Sequence, residues 1–148
     1  VEFTGGEPLA QEGTPELIRE MIHLGYRVMI ETGGSEPIES LPLETHIIMD
    51  LKCPGSGMEG KNRYENLQFL KPSDESKFVI AHRDDFEWAR DLVRLEKLDE
   101  RFQVLFSAAF GLLAPKNLVE WLLEERLNRV RLNLQQHKYI WSPRAKGV

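Results

Sequence analysis

Val1-Glu2-Phe3-Thr4-Gly5-Gly6-Glu7-Pro8 opens the chain as a short apolar strand that runs into two adjacent glycines, an acid and a proline. Paired glycines permit positive φ and let a ligand approach bare backbone, while Pro8 fixes its own φ and keeps Glu7 extended. The predicted product is a rigid turn of exposed peptide groups at a strand end. Carbonyl oxygens held in this way suit an ammonium group, which has three donors and no acceptor, and Thr4 adds a hydroxyl. A plain strand-to-helix turn is the alternative use of the same residues.

Outward from this turn, strand-like and helix-like periods alternate, the pattern of an α/β parallel sheet with crossover helices. Six strands are expected, over residues 1–3, 26–31, 46–52, 77–81, 102–107 and 130–134. The first helix has Thr14 as cap and Pro15 at its first position, with Leu17, Ile18, Met21 and Ile22 on one face and Gly25 past its end. Asp84 with Glu87 is expected to cap a second helix that buries Phe86, Ala89, Leu92 and Val93. Pro115 opens a third, with Leu118, Val119, Leu122 and Leu123 on one face. Residues 53–76, rich in Gly, Pro, Asn and Lys, break the rhythm and are expected to form an inserted loop with a helical stretch around 64–70. Loops of that length are usually functional or mobile. No repeat and no linker divides the chain, so residues 1–148 are read as one domain.

At 148 residues the chain can bury a sizeable core. It lacks an initiator Met and opens inside a strand, so it is expected to be a piece of a slightly larger protein. No apolar run approaches a bilayer span and no charged-then-apolar leader is present, which leads to the expectation of a soluble, cytoplasmic protein. A formal charge of −5 argues against a general nucleic-acid or anionic-membrane surface, although Arg129, Arg131, Arg144 and Lys146 make a local basic area. A small molecule is the expected partner. The single cysteine, Cys53, excludes an intrachain disulfide and any multi-cysteine metal site supplied by this sequence alone, and is read as a packed side chain.

Ligands in parallel α/β sheets and barrels bind beyond the carboxyl ends of the strands, where loops converge. Those ends here read Thr4-Gly5-Gly6-Glu7, Glu31-Thr32-Gly33-Gly34-Ser35, Asp50-Leu51-Lys52, Ala81-His82-Arg83-Asp84 and Phe106-Ser107-Ala108-Ala109. Polar and glycine-rich residues gather on one rim. By chemical type, Glu31, Asp50 and Ser35 suit ribose hydroxyls and Lys52 suits a carboxylate. Each alone has an equal use as a cap or surface group; five rim segments together favour a site. No nucleophile elbow, no phosphate loop and no pair of histidines at metal-helix spacing is found. His137 is read as a packed residue near the last strand.

These segments together resemble the radical S-adenosylmethionine superfamily and, within it, the 7-carboxy-7-deazaguanine synthases. Thr4-Gly5-Gly6-Glu7-Pro8 matches the superfamily turn. Glu31-Thr32-Gly33-Gly34-Ser35, Asp50-Leu51-Lys52-Cys53-Pro54-Gly55-Ser56-Gly57 and Gln135-Gln136-His137-Lys138-Tyr139 are similar to segments of that particular family. The resemblance implies a partial (β/α) barrel and a carbon–nitrogen lyase that converts 6-carboxy-5,6,7,8-tetrahydropterin to 7-carboxy-7-deazaguanine with loss of ammonia. It also implies S-adenosylmethionine, a 4Fe-4S cluster and Mg²⁺ as cofactors, a flavodoxin or ferredoxin as reductant, and a homodimer. No direct nucleic-acid or membrane contact is implied.

Carried over by residue, Thr4 touches the pterin and Gly6 presents backbone to the methionyl amine. Asp50, Leu51 and Lys52 meet S-adenosylmethionine, and Phe106, Ser107, Ala108 and Ala109 cover its adenosine through backbone. No residue is assigned a catalytic role and none a metal. The three cluster cysteines would precede Val1, so the 148 residues by themselves are expected to be inactive. The other readings are an activating enzyme of the same superfamily, which shares the turn but not the Gln-x-His-Lys-Tyr ending, and a non-catalytic nucleotide-binding α/β module.

Overall fold

The computed structural model describes residues 1–142 and residue 145, so Arg144 and Lys146 of the basic tail lie outside the described residues. Six strands, β1 (Glu2–Phe3), β2 (Met29–Thr32), β3 (His46–Leu51), β4 (Glu75–Ile80), β5 (Gln103–Ala108) and β6 (Val130–Asn133), form one sheet in sequential order. Every neighbouring pair is parallel. The helices are α1 (Thr14–His23) after β1, α2 (Arg83–Glu96) and the short α3 (Leu98–Arg101) after β4, α4 (Pro115–Glu124) after β5, and the four-residue α5 (His137–Ile140) after β6.

The strand order never reverses. Right-handed crossovers that always step the same way place helices on a single face, as in a barrel, whereas a doubly wound sheet reverses and is covered on both. Residue-by-residue burial follows from this. Both β3 and β4 alternate half-buried and buried positions along their length. Met49, Leu51, Phe78 and Ile80 join one core with Ile18 of α1, Phe86 and Val93 of α2 and Leu118 of α4. At its centre the rings of Phe78, Phe86 and Phe106 meet edge to face, with centroids 5.3 and 5.9 Å apart. Glu31, Asp50 and Lys77 occupy the alternate positions and face the other side, which stays partly open over β2, β3 and β4.

The architecture is the expected α/β parallel sheet with six strands, and the differences are local. The second strand begins at Met29 because Gly25 and Tyr26 donate their N–H groups back to Ile22 and Met21 and finish α1. Gly13, at φ +88°, takes the cap position assigned to Thr14; Thr14 becomes the first helical residue and its hydroxyl donates to the Pro8 carbonyl at 2.8 Å. Leu17 and Leu123, expected on buried faces, are exposed. Asp84 and Glu87 do not form a capping pair: Glu87 accepts from Arg83 at 3.0 Å, and the carboxylate that reaches back to the loop is Asp85. Residues 53–76 hold three short 3-10 turns, the longest over Tyr64–Phe69.

Candidate functional site

A cavity of about 460 Å³ opens where β1, β2 and β3 end. Gly5 and Gly6 lie in its wall at φ +89° and +59°, in the left-handed region that disfavours other residues. A Cβ built on either would meet nothing within 4 Å. Bare backbone therefore faces open space, as the turn sequence predicts.

Glu7 also lines this cavity, and both of its carboxylate oxygens are engaged by protein donors. Oε1 accepts the Thr32 hydroxyl at 2.7 Å and the Leu9 N–H at 3.2 Å, and Oε2 accepts the Gly33 N–H at 2.8 Å. Bonds to an ionised acceptor are about twice as strong as neutral ones. The acid thus latches the β1 exit to the β2 exit. Sequence reading treated it only as part of a turn; its partners lie 25 and 26 residues away.

Two acid–base pairs line the open face. Lys52 Nζ donates to Asp50 Oδ2 at 2.8 Å, and Lys77 Nζ donates to Glu31 Oε1 at 2.6 Å. Glu31, Ser35, Asp50 and Lys52 all reach the first cavity, together with Thr4 and Gly6. Asp50 Oδ1 is buried and has no hydrogen-bond partner among the described residues. A buried carboxylate oxygen left unpaired is costly, which marks it as an acceptor waiting for a donor.

Two asparagines of the inserted segment hold the rim in place. Asn62 accepts the Lys52 N–H at 2.8 Å and donates to the Lys52 carbonyl at 2.9 Å. The buried Asn66 donates to the Gly34 and Glu36 carbonyls at 3.1 and 2.8 Å and accepts from Ile38. The loop of residues 53–74 is thereby a brace for the β2 and β3 exits. Sequence reading found the segment but not these two residues.

A second cavity of about 320 Å³ adjoins the first and shares Asp50 and Lys52 with it. Val79, Ala81, Ala109 and Leu112 give it apolar walls, and Leu51 also lines it. Asp85, in the first turn of α2, is 2% exposed. Its carboxylate accepts the Gly55 N–H at 2.7 Å and the Ala81 N–H at 3.1 Å, tying the β3 exit to the β4 exit. A helix N-terminus is a favourable place for that charge. Gly55 has no room for a side chain, since a Cβ there would stand 2.7 and 2.8 Å from the two Asp85 oxygens. Gly55→Ala is expected to break this tie at a cost of about 1–3 kcal/mol, read as a lower melting temperature. An unchanged melting temperature would refute the clamp.

The remaining predicted residues separate. Of the β5 segment, Ala109 alone lines a cavity. Phe106 and Ala108 share the helix-facing side with Val104 and belong to the core, because alternate residues of a strand face opposite ways. Ser107, on the other side, is fully buried and its hydroxyl lacks a partner among the described residues. Burial pushes the Cys53 thiol up, and Asp85 and Asp50 push it further, so it stays a protonated, packed group. His137 is exposed at the start of α5, not packed as expected. Among the described residues no group of three or more His, Cys, Asp or Glu is placed to hold a metal ion, and no helix is long and apolar enough to cross a membrane.

No family model matches the chain. Curated relatives do. The chain is 46% identical to a 7-carboxy-7-deazaguanine synthase of Koribacter versatilis, over 100% of the chain and 71% of the relative. It is 40% identical to one of Chlorobaculum tepidum, over 100% of the chain and 68% of the relative. Among solved structures it is similar to the crystal structure of QueE from Escherichia coli, with a TM-score of 0.66 and 21% identity. That likeness covers 91% of the chain but 55% of the QueE chain, and it concerns the fold.

Proposed function

Because the chain belongs to the 7-carboxy-7-deazaguanine synthase family, we propose that it forms most of the ligand-binding core of a radical S-adenosylmethionine carbon–nitrogen lyase. The reaction is the conversion of 6-carboxy-5,6,7,8-tetrahydropterin to 7-carboxy-7-deazaguanine with release of ammonia. The observation that carries this reading is the pair of adjoining cavities with Asp50 in the wall of both. A ligand with a charged amino-acid end and a nucleoside end needs two such compartments, and a second, pterin-sized molecule needs room beside the first.

The residues present fit S-adenosylmethionine. Exposed backbone at Gly5 and Gly6 suits its methionyl ammonium. The unpartnered Oδ1 of Asp50 is an acceptor for a ribose hydroxyl, and the apolar second cavity suits a flat heterocycle. When bound, S-adenosylmethionine with a reduced 4Fe-4S cluster supplies the radical that takes hydrogen from the substrate. With one cysteine, and no group of three or more His, Cys, Asp or Glu among the described residues placed to hold a metal ion, the ligands of the cluster would come from outside these residues. The contribution of this chain is orientation: Glu7, Asn62 and Asp85 fix the loops, and the fixed loops hold the two ligands in reacting contact. The same reading takes a flavodoxin or ferredoxin as electron source, a homodimer as the assembly and the cytoplasm as the compartment; family resemblance supports these.

Anaerobic assay of the complete reconstituted protein with the carboxypterin tests the proposal. Cleavage of S-adenosylmethionine without any deazaguanine product would overturn it. Thr4→Val, nearly isosteric but without the hydroxyl, should lower pterin turnover about tenfold, the worth of one hydrogen bond. Uncoupled cleavage of S-adenosylmethionine should stay within about twofold. Equal loss of both activities would refute the assignment of Thr4 to the substrate.

A further inference from the structure

Glu31 and Lys77 stand on strands that are not neighbours. Glu31 is on β2 and Lys77 on β4, yet Lys77 Nζ lies 2.6 Å from Glu31 Oε1. Two strand spacings set β2 and β4 about 9–10 Å apart, and Lys77 lies two residues further along than the position level with Glu31, so both side chains reach across β3 to meet. They pass over Ile48, the register partner of Glu31, and beside Asp50, the register partner of Lys77. The ammonium bonds Glu31 and not Asp50, whose Oδ2 accepts from Lys52 at 2.8 Å and whose Oδ1 has no partner among the described residues. The pair is well shielded, with Lys77 15% and Glu31 30% exposed.

The two partners differ in what they can reach. Glu31 lines the first cavity and Lys77 does not. Among the described residues Lys77 is the one hydrogen-bond donor to Glu31, so Oε2 is left for a donor within the cavity. A glutamate with three side-chain torsions would otherwise sample many positions there.

We propose that Lys77 is a positioning residue for substrate binding. It occupies one oxygen of Glu31 from behind, fixes the plane of that carboxylate, and so presents the other oxygen to an N–H group of the pterin without touching the substrate itself. Lysine suits this role, because its long stem crosses a strand and its ammonium is a compact point charge. A strap that only held β2 and β4 together would act on both cavities alike; a positioning residue acts on the ligand that Glu31 meets. The inference rests on the proposed reading, extended so that the pterin lies in the first cavity beside the methionyl end of S-adenosylmethionine.

The test uses the complete reconstituted protein under anaerobic conditions, with steady-state kinetics on 6-carboxy-5,6,7,8-tetrahydropterin and calorimetric titration with S-adenosylmethionine. Lys77→Met, which keeps length and removes charge, should raise KM for the pterin by about tenfold or more, and S-adenosylmethionine affinity should stay within about twofold. Lys77→Arg should recover most of the loss. In a Glu31→Gln background, Lys77→Met should add less than about twofold, because the two residues act as one unit. An unmoved pterin KM, a parallel loss of S-adenosylmethionine affinity, or full additivity with Glu31→Gln would each overturn the proposal. If Lys77→Met does not fold, Lys77→Gln gives the same comparison. A parent protein that fails to turn over the pterin overturns the functional reading and this inference with it. A parent that succeeds, beside a variant with unmoved KM, overturns the inference alone.

Discussion

Gly6→Val in the complete protein is expected to weaken S-adenosylmethionine binding by at least about a hundredfold, or roughly 2.7 kcal/mol. Two effects add. The backbone at Gly6 has φ +59°, a conformation that costs an ordinary L-residue about 1–2 kcal/mol and a β-branched one more. The new side chain also projects into the space where bare backbone meets the ligand, since nothing of the protein lies within 4 Å of the Cβ position. Gly6→Ala separates them: it carries most of the backbone strain with little of the bulk, and should show the smaller loss of affinity. Calorimetric titration of both variants decides the matter, and a Val variant that binds within about twofold of the parent would remove Gly6 from the site.

Asp74→Ala is expected to be the most damaging change to stability. This carboxylate lies at the opposite end of the sheet from the cavities and is fully buried. Oδ1 accepts the Ile47 N–H at 3.0 Å and Lys71 Nζ at 2.8 Å; Oδ2 accepts the Lys71 N–H at 2.8 Å and Nζ at 2.7 Å. Its removal leaves the Ile47 N–H unpaired and leaves the Lys71 ammonium with the Thr45 carbonyl as its remaining partner. Breaking a buried pair from one side costs about 3–5 kcal/mol, which for a chain of this size lowers the melting temperature by about 6–20 °C. Thermal unfolding followed by circular dichroism measures it, and a fall of less than about 2 °C would show that the pair is not structural. The change would also reach the site, because the strand pinned at Ile47 is the one that carries Asp50 near its end.

What the sequence made legible follows its physics. Short-range signals worked: apolar runs gave six strands, Pro15 and Pro115 marked helix starts, and the Gly5-Gly6 turn gave bare backbone beside a cavity. Strand ends moved by up to three residues where a helix cap claimed the backbone first, as Gly25 and Tyr26 do for α1. Glu75 and Ser76 open β4 without any apolar signature of their own. In the segment Phe106 to Ala109 the two-residue alternation of a strand sends the side chains of 106 and 108 into the core, which bears on side chains and leaves the expected backbone contacts as they were. The residues that sequence reasoning missed, Glu7 as a latch, Asn62, Asn66 and Asp85, bond to backbone 10 to 32 residues away. A single acid or amide in a polar loop carries no mark of so distant a partner.

The lining of the first cavity is drawn wholly from positions 4 to 61, whereas that of the second runs from 50 to 112. The two compartments are therefore successive along the polypeptide as well as adjacent in space. As the chain leaves the ribosome, every residue of the first chamber has been made before β4 begins, and the second is finished by additions that leave the first untouched. The residues after 112, about a quarter of the 148, enter neither lining; they serve the two chambers from outside, through core side chains such as Leu118 and Val130.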